Sequence, residues 1–458
     1  MNHKQDTICA IITPNGVGAV GVIRISGNLA ISIVNQHFRG KDLETQQTHT
    51  IHYGNFLGKN RQMIDEVVVA LYKQPHSYTM EDVCEISCHG STFIIQEILE
   101  TLLLAGARMA LPGEFTERAF LNGRFDLSQA EAVADLIASD SKAAHDLAMR
   151  QLKGGISKKL QELRTALIDF TALIELELDF AEEDVEFADR TKFTSLLIDI
   201  LKEVDFLKNS FKYGNAIKEG IQVAIIGKPN AGKSTLLNAL LQEDRAIVSS
   251  IAGTTRDTIE ETFNIEGVLF RLIDTAGIRT TQDEIEAIGV KKAIEKINNA
   301  FIVIALFDLS GTPLEDIAEL QKQIPEDKSI LFIGNKQDAI SSTDQLQLLS
   351  SLPANTLLIS AKDNSGIESL KSALVSMVNM GEQDQQQVII TNKRHHEALM
   401  HAGNALKDIL TGMDNSISTE LLTHDIKTAL RHLGSITGHI DVDKDILATI
   451  FGKFCIGK

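Results

Sequence analysis

The sequence predicts a multidomain protein that combines α/β and all-α parts. A doubly wound α/β domain is inserted into a helical domain, which follows a smaller N-terminal α/β domain. Three observations support this architecture. The chain has 458 residues, more than one ordinary hydrophobic core accommodates. A strand, a glycine-rich loop and a helix follow one another around residue 230, among apolar runs typical of parallel sheets. Helical periodicity dominates on both sides of this region.

Composition and charge narrow the functional classes. Hydrophobic residues make up 43% of the chain and charged residues 23%, as in ordinary globular proteins. The formal net charge of −18 argues against broad, charge-driven nucleic-acid binding, so an RNA contact needs a local patch or a partner's surface. Four scattered cysteines do not make a disulfide framework, and we find neither a signal peptide nor a membrane-spanning apolar run. These features predict a cytoplasmic protein with no membrane span.

Residues 1–120 are predicted to form the N-terminal α/β domain, with strands at 8–12, 20–25 and 67–71 and an apolar helix at 93–104. Residues 16–21 match the G-x-G-x-x-G pattern of dinucleotide-binding loops. A second β-like run follows where such a loop would open a helix, so we interpret the segment as a glycine-rich hairpin. Cys84 and Cys88 lack a matching second pair, which favours buried structural thiols over a metal site.

The helical domain is predicted in two parts, residues 121–215 and 383–458, which flank the α/β domain at 216–382. A polar stretch at 381–387 has the composition of a linker. The acidic run at 182–186 is interpreted as a solvated loop between helices rather than a metal cluster. The basic cluster at 393–396 fits either an RNA contact or an exposed helix start.

The central motif of the chain is a phosphate-binding loop. Residues 223–226 form a short apolar strand, and Gly227, Gly232, Lys233 and Ser234 complete the pattern G-x-x-x-x-G-K-[ST] at the start of a helix. The glycines allow backbone N–H groups to converge on phosphate oxygens, and the helix presents its positive end to them. Lys233 is expected to neutralise the β- and γ-phosphates, and the Ser234 hydroxyl to hold Mg²⁺.

Four further segments follow in the order that a GTPase requires. A hydroxyl in the segment 253–257 can reach Mg²⁺ when a γ-phosphate orders the loop. Asp274 begins D-T-A-G, whose carboxylate suits the Mg²⁺ shell and whose Gly277 N–H can sense the γ-phosphate. In the N-K-x-D segment, Asp338 can accept hydrogen bonds from the ring N–H and exocyclic amine of guanine, which favours GTP over ATP. The segment 360–362 closes the base pocket. Five motifs in this order predict a GTPase.

One expected residue is absent. Ile278 follows Gly277, where many GTPases place a glutamine that orients the attacking water. Hydrolysis therefore needs another water-positioning group and another source of positive charge. Asn230 could coordinate a monovalent cation, and Glu286 could be the catalytic carboxylate or simply a solvated helix-start residue.

The complete set of motifs resembles the bacterial MnmE (TrmE) family of tRNA-modification GTPases. The resemblance rests on G-K-P-N-A-G-K-S-T, A-G-T-T-R-D and D-T-A-G, placed between an N-terminal D-T-I-C-A-I-I-T-P-N-G-V-G-A-V-G-V-I-R-I-S-G and a C-terminal F-C-I-G-K. The sequence L-P-G-E-F-T-E-R-A-F-L-N-G-R-F-D-L-S-Q-A-E-A at 111–132 is also characteristic, so the resemblance covers essentially the whole chain.

The resemblance implies a fold and an activity. In this family an N-terminal folate-binding domain also forms the homodimer, and the G domain is inserted into the helical domain. With an MnmG-type partner that uses FAD and NADH, in a heterotetramer, such proteins add an aminomethyl or carboxymethylaminomethyl group to C5 of the wobble uridine of certain tRNAs. The one-carbon unit comes from 5,10-methylene-tetrahydrofolate, for which 5-formyl-tetrahydrofolate is an analogue. Potassium and G-domain dimerisation activate GTP hydrolysis.

Site residues transfer to matching positions of this chain. Asn230, Ser249, Ile251 and Thr254 are implied to hold K⁺ in the place of an arginine finger, Ser234 and Thr255 to hold Mg²⁺, and Glu286 to orient the water. Folate contacts are implied for Arg24, Glu85, Arg124 and Lys458, although Arg124 stands where the family usually has lysine. The residues expected to contact GTP lie in or directly beside the five motifs and are Asn230, Ala231, Gly232, Lys233, Ser234, Thr235, Ser249, Ser250, Ile251, Ala252, Gly253, Thr254, Thr255, Asp274, Thr275, Ala276, Gly277, Asn335, Lys336, Asp338, Ser360, Ala361 and Lys362.

Cys455 and the overall function each keep alternatives. The last four residues imitate a prenylation box, a packed C-terminal thiol is a second explanation, and the resemblance implies a catalytic thiol near the folate. For the function, the rival is a ribosome-assembly GTPase of the Era or Der kind, which binds RNA without modifying it. A folate-regulated scaffold is a third possibility. The single phosphate-binding loop and the helical C-terminus favour the modification enzyme.

Overall fold

The computed structural model describes residues 6–179, 190–243, 261–273, 297–326, 328–341, 351–379, 388–415, 419–438 and 457. Backbone contacts divide the chain into two compact units. The first comprises Met1–Ala134, Gln151–Thr171 and Lys427–Lys458, and the second comprises Asp135–Arg150 and Ala172–Ile426. The predicted combination of an N-terminal α/β sheet, a helical part and a doubly wound sheet is confirmed.

The first unit is built on a seven-stranded sheet with the order β3-β4-β5-β6-β2-β1-β7. Its strands are β1 (Ile8–Ile11), β2 (Val20–Ser26), β3 (Phe38–Arg39), β4 (Thr50–Leu57), β5 (Met63–Tyr72), β6 (Val83–His89) and β7 (Arg108–Met109). Helices α1 (Ala30–His37) and α2 (Thr92–Leu104) bury their apolar faces on it, and α3 (Glu114–Leu121) and α4 (Leu127–Ile137) follow. Strands β1 and β2 pair in antiparallel fashion, so the glycine-rich segment at 16–21 forms part of the β1–β2 connection and the start of β2, not a dinucleotide-binding loop.

The cysteines of this sheet are structural. Cys9, Cys84 and Cys88 are all buried. Burial raises the pKa of the Cys84 thiol to about 12 and that of Cys88 to about 11. These two thiols therefore stay protonated and unreactive at neutral pH, in agreement with the predicted buried structural thiols.

The second unit contains a six-stranded sheet with the order β13-β12-β11-β8-β10-β9. Its strands are β8 (Ile221–Ile226), β9 (Glu261–Ile265), β10 (Val268–Leu272), β11 (Ile302–Asp308), β12 (Ser329–Asn335) and β13 (Leu357–Leu358). All neighbours are parallel except β9 and β10. Helices α8 (Lys233–Glu243), α9 (Pro313–Gln323) and α10 (Ile367–Asn379) accompany it. Apolar clusters on both faces make this a doubly wound sheet.

The remaining helices are long and amphipathic: α5 (Lys142–Leu152), α6 (Gly155–Asp179), α7 (Arg190–Glu219), α11 (Lys393–Asp414) and α12 (Thr419–Thr437). Helix α7 leads directly into β8 through Gly220, whose φ of 92° is in the left-handed region that favours glycine. The chain returns beside the same helix, where the backbone N–H of Ile390 donates to Ser210 Oγ at 3.0 Å. Among the described residues, no helix combines the length and apolar character needed to cross a membrane.

Candidate functional site

The phosphate-binding loop lies where the sequence predicted, between the end of β8 and the start of α8. Strand β8 is almost wholly buried, as its apolar sequence requires, and its C-terminal end delivers the loop to the edge of the sheet. The Lys233 ammonium donates to the carbonyl oxygens of Gly227 and Lys228, at 2.6 and 2.9 Å, across the turn of the loop. Ser234 and Thr235 are exposed in the first turn of α8, where an Mg²⁺–phosphate group would meet the helix N-terminus.

Asn335 ties this loop to the guanine-recognition segments. Its side chain is buried at the end of β12, donates to the Ala231 carbonyl at 2.8 Å and accepts from the Ala361 N–H at 3.0 Å. One carboxamide therefore joins the N-K-x-D segment to the phosphate loop and to the base-closing segment 360–362. A Cβ at Gly232 would lie 2.1 Å from Asn335 Nδ2, and the φ of Gly232 is 98°. Both observations explain why this position of the motif is glycine.

Asp338 is exposed and held by a neighbouring hydroxyl. Ser360 Oγ donates to Asp338 Oδ1 at 2.7 Å. This hydrogen bond, helped by the positive charges of Lys362 and Lys336, lowers the pKa of Asp338. The carboxylate is therefore ionised and oriented at neutral pH, as recognition of the guanine N–H donors requires.

Two residues that sequence reasoning missed support the same loops. Lys228, inside the phosphate loop, forms ion pairs with Asp316 at 2.9 Å and Glu319 at 3.0 Å on α9. Asp308, at the end of β11, accepts from the Lys336 ammonium at 2.5 Å. The sequence signal available for Asp308 was an acidic residue at the end of an apolar run. Lys228 gave no such signal, because its partners lie more than one element away in sequence.

Part of the predicted nucleotide site lies outside the described residues. This applies to the proposed K⁺ ligands Ser249, Ile251 and Thr254, to Thr255 for Mg²⁺ and to Glu286. It also applies to the GTP contacts Ser250, Ala252, Gly253, Asp274, Thr275, Ala276 and Gly277. Asn230 is described: it is exposed and has a left-handed φ of 66°. This conformation suits Asn more than most residues.

A second candidate site is a cavity of about 470 Å³ in the first unit, which brings together Arg24, Glu85 and Arg124. Arg24 on β2 stands opposite Glu85 on β6 in the strand register, and its Nε and Nη2 atoms contact Glu85 Oε1 at 2.9 and 2.8 Å. Among the described residues no donor reaches Glu85 Oε2. That oxygen is available to accept from ligand N–H groups.

Tyr78 lies between the two arginines. The guanidinium carbons of Arg24 and Arg124 are each 4.9 Å from the centre of its ring, within cation–π range. Arg124 also stacks on Phe125 at 4.9 Å and donates to the Ser77 carbonyl at 2.8 Å. An arginine, unlike a lysine, can make a planar stack and a directed hydrogen bond together. Sequence reasoning missed Tyr78, together with His49, Tyr72 and His76 of the same cavity.

A buried ion network supports the wall of this cavity. Arg118 on α3 pairs with Asp6, Glu81 and Glu114, and Glu81 also accepts from Ser26 Oγ at 2.7 Å. Nearby, Asn122 Nδ2 donates to the Thr79 carbonyl at 2.7 Å. The loop that carries Tyr78 is therefore held from both sides.

Gly457, near the C-terminus, packs on β1, which pairs with the strand that carries Arg24. A Cβ at Gly457 would lie 2.2 Å from the Ile11 carbonyl oxygen, so this residue packs directly on β1. Ile11 pairs with Ile23, the neighbour of Arg24. Cys455 and Lys458 lie outside the described residues.

The fold and the loop network define a P-loop GTPase with guanine-recognition segments. Comparison with known proteins then shows the family. The family model described as "MnmE helical domain" matches residues 127–455, and the one described as "GTP-binding protein TrmE N-terminus" matches residues 7–124. The chain therefore belongs to the MnmE (TrmE) family of tRNA-modification GTPases.

Individual relatives match over nearly their full length. A tRNA modification GTPase MnmE from Cytophaga hutchinsonii is 51% identical, covering 100% of this chain and 98% of the relative. Proteins of the same name from Flavobacterium johnsoniae and Flavobacterium psychrophilum are 52% and 51% identical. These matches cover 99% of this chain in both cases, with 100% and 99% of the relatives.

Proposed function

We propose that this protein is a potassium-activated cytoplasmic GTPase that modifies C5 of the wobble uridine in certain tRNAs. It acts as a homodimer with an FAD-binding partner of the MnmG type and adds an aminomethyl or carboxymethylaminomethyl group. The one-carbon donor is 5,10-methylene-tetrahydrofolate, which supplies carbon at the oxidation level of formaldehyde. The observation that carries the proposal is the cavity shared by Arg24, Glu85 and Arg124 in a chain that also has a GTPase loop network.

The residues of the cavity suit a reduced folate. The volume of about 470 Å³ is in the range of small-molecule sites. The guanidinium groups of Arg24 and Arg124 fit the anionic glutamate end of the ligand. Glu85 Oε2 fits the N–H donors of a pterin ring, and the Tyr78 ring adds an aromatic surface. Lys458 is proposed as a further cation for the glutamate end, and Cys455 as a thiol near the folate.

In the nucleotide site, Ser234 and Thr255 are proposed to hold Mg²⁺, and Glu286 to orient the attacking water. Asn230, Ser249, Ile251 and Thr254 are proposed to hold K⁺, which would supply positive charge to the transition state. The exposed Asn230 side chain, on a backbone turned into the left-handed region, is compatible with that role.

Nucleoside analysis of the wobble uridine tests the modification. Cells that lack this protein are expected to lose the C5 substituent, and the wild-type gene should restore it while an Arg24→Gln variant should not. An unchanged nucleoside profile in the deletion strain would favour the ribosome-assembly GTPase. GTP turnover in KCl is expected to exceed that in NaCl severalfold, and equal rates would remove the potassium assignment.

A further inference from the structure

A second cavity, of about 770 Å³, lies in the second unit at the edge of the sheet opposite the phosphate-binding loop. It is bounded by the start of β8, by the residues immediately before β11 and β12, and by the last turns of α7. None of the five GTPase motifs lies at this end of the sheet, because ligands of doubly wound sheets bind at the carboxyl ends of the strands.

The lining of this cavity is basic in a protein of net charge −18. It includes Lys208, Lys212, Arg271 and Lys328, with Glu219 as the single acidic lining residue. Lys208 is paired with Asp205 at 2.5 Å, outside the lining. Among the described residues, Lys212 and Lys328 have no acidic partner of this kind.

Lys328 and Lys212 are the two lining cations most available to an anion. The Lys328 ammonium donates to the carbonyl oxygens of Asn298 and Ala300 at 2.5 and 3.1 Å. Because both acceptors are neutral, they fix the position of the ammonium group without offsetting its positive charge. Lys212 is exposed, and no ion pair joins it to any residue in the described parts of the chain. Two ammonium groups from different elements thus face one cavity, an arrangement that attracts an anion.

The same cavity offers flat and amide-bearing surfaces. Phe211 and His396 stack with ring centroids 4.6 Å apart and an interplanar angle of 25°. The His396 Nδ1 atom, 3.1 Å from the Lys208 carbonyl, fixes this pair on α7. Asn209 and Asn215 add carboxamides that can hydrogen-bond a base edge. Cations beside an aromatic platform are the chemistry with which proteins hold the phosphate and base of a nucleotide.

We propose that this cavity binds the phosphate group of a nucleotide, carried either by an RNA chain or by a free nucleotide. Lys212 and Lys328 contact the phosphate, and the Phe211–His396 pair supports the base. Because Lys212 belongs to α7 and Lys328 precedes β12, the ligand bridges the helix and the sheet beside the Gly220 connection. The proposal is independent of the folate and potassium assignments.

Two probes, applied to the full-length protein saturated with GDP and Mg²⁺, test this site. The first is a fluorescein-labelled, unmodified tRNA transcript, followed by fluorescence anisotropy at several salt concentrations. The second is ADP, followed by titration calorimetry; the occupied guanine site does not compete for it. The variant is Lys212→Glu, and the matched control is Lys202→Glu, since Lys202 is an exposed lysine of the same helix outside the cavity lining. Basal GTP turnover, which neither substitution touches, verifies folding.

Lys212→Glu is expected to weaken at least one probe about fivefold or more, with Lys202→Glu unchanged. Loss of tRNA affinity with a salt slope reduced by about one assigns the phosphate to RNA. Loss of ADP affinity alone assigns it to a free nucleotide. If Lys212→Glu binds both probes like the wild type, or if Lys202→Glu loses as much affinity, the site does not exist as proposed.

Discussion

Substitution of Gly232 by alanine tests the loop network most directly. The new Cβ would lie 2.1 Å from Asn335 Nδ2, so the carboxamide must move. Asn335 would then lose its hydrogen bonds with Ala231 and Ala361, of 2.8 and 3.0 Å. Each such buried bond contributes about 1 kcal/mol. Alanine at a φ of 98° adds about 1–2 kcal/mol of backbone strain.

The total expected loss is therefore about 3–4 kcal/mol of unfolding free energy. For a domain of this size, a loss of 1 kcal/mol lowers Tm by about 2–4 °C. The affected transition can be identified because bound GDP raises its midpoint, and we expect its Tm to fall by about 6–16 °C in the variant. Gly311→Ala is the matched control in the same sheet unit, because its Cβ would approach nothing closer than 3.7 Å. This control should change Tm by little.

A double-mutant cycle separates the clash from the backbone strain. In an Asn335→Ala background the two hydrogen bonds are already absent, so Gly232→Ala should cost only the strain of about 1–2 kcal/mol. The coupling energy is then about 2 kcal/mol. Equal costs of Gly232→Ala in both backgrounds, or a variant as stable as Gly311→Ala, would refute the argument that Asn335 dictates glycine at this position.

Three other predictions concern the two sites and the ion network. Asp338→Asn should lower GTP affinity about tenfold or more and admit xanthosine triphosphate; an unchanged preference in competition binding would show that the base site is misassigned. Arg124→Lys keeps the positive charge but loses the stacks on Tyr78 and Phe125. We therefore expect calorimetry to show about fivefold weaker binding of 5-formyl-tetrahydrofolate, and equal affinity would contradict the role of the stacks. Burial alone would raise the pKa of Glu114, but hydrogen bonds from Arg108, the Leu111 N–H and Arg118 hold it below 4.5. The stability that Glu114 contributes is thus present above about pH 4.5 and is lost as the pH falls through the pKa of Glu114 in the folded state. In Glu114→Gln, the free energy of unfolding should therefore fall less steeply with decreasing pH than in the wild type. Equally steep curves for the two proteins would contradict this role of Glu114.

The sheet of the second unit was largely predictable because its central strands are buried on both faces. Apolar runs at 301–307 and 330–333 correspond to β11 and β12. Strands β3, β4, β7 and β9 of the two sheets were not predicted. In β9 only Phe263 and Ile265 are buried, and in β4 polar and glycine residues interrupt the apolar pattern. Such strands are specified by pairing with their neighbours, which local sequence does not reveal.

The lengths of helices also depend on contacts that the local sequence does not reveal. The amphipathic pattern from Arg190 to Leu207 predicts a helix over those residues, whereas α7 continues to Glu219. Its last turns pack Gly214 against the backbone of Ile390. A contact between residues so distant in sequence is invisible to periodicity. The apolar run at 356–359 likewise predicts a strand of that length, whereas β13 comprises two residues, Leu357 and Leu358.

For the two proposed sites, motifs supplied the candidate residues, and the structure added the side chains that hold the described ones. Short segments such as N-K-x-D predict which groups face a ligand, since spacing along a loop is local information. The residues that hold those groups are scattered along the chain: Tyr78 between two arginines, and Asp316 against Lys228. Their roles depend on tertiary approach, so no single window of sequence contains them.

The contact between Ser210 and Ile390 has a consequence for engineering. Two residues separated by 180 positions are joined by one hydrogen bond, so the chain departs from α7 and comes back at nearly the same place. A short turn could therefore replace everything in between at low entropic cost. We expect such a minimised chain to keep α7 and α11 paired as an antiparallel scaffold, into which an unrelated domain with adjacent termini could be grafted.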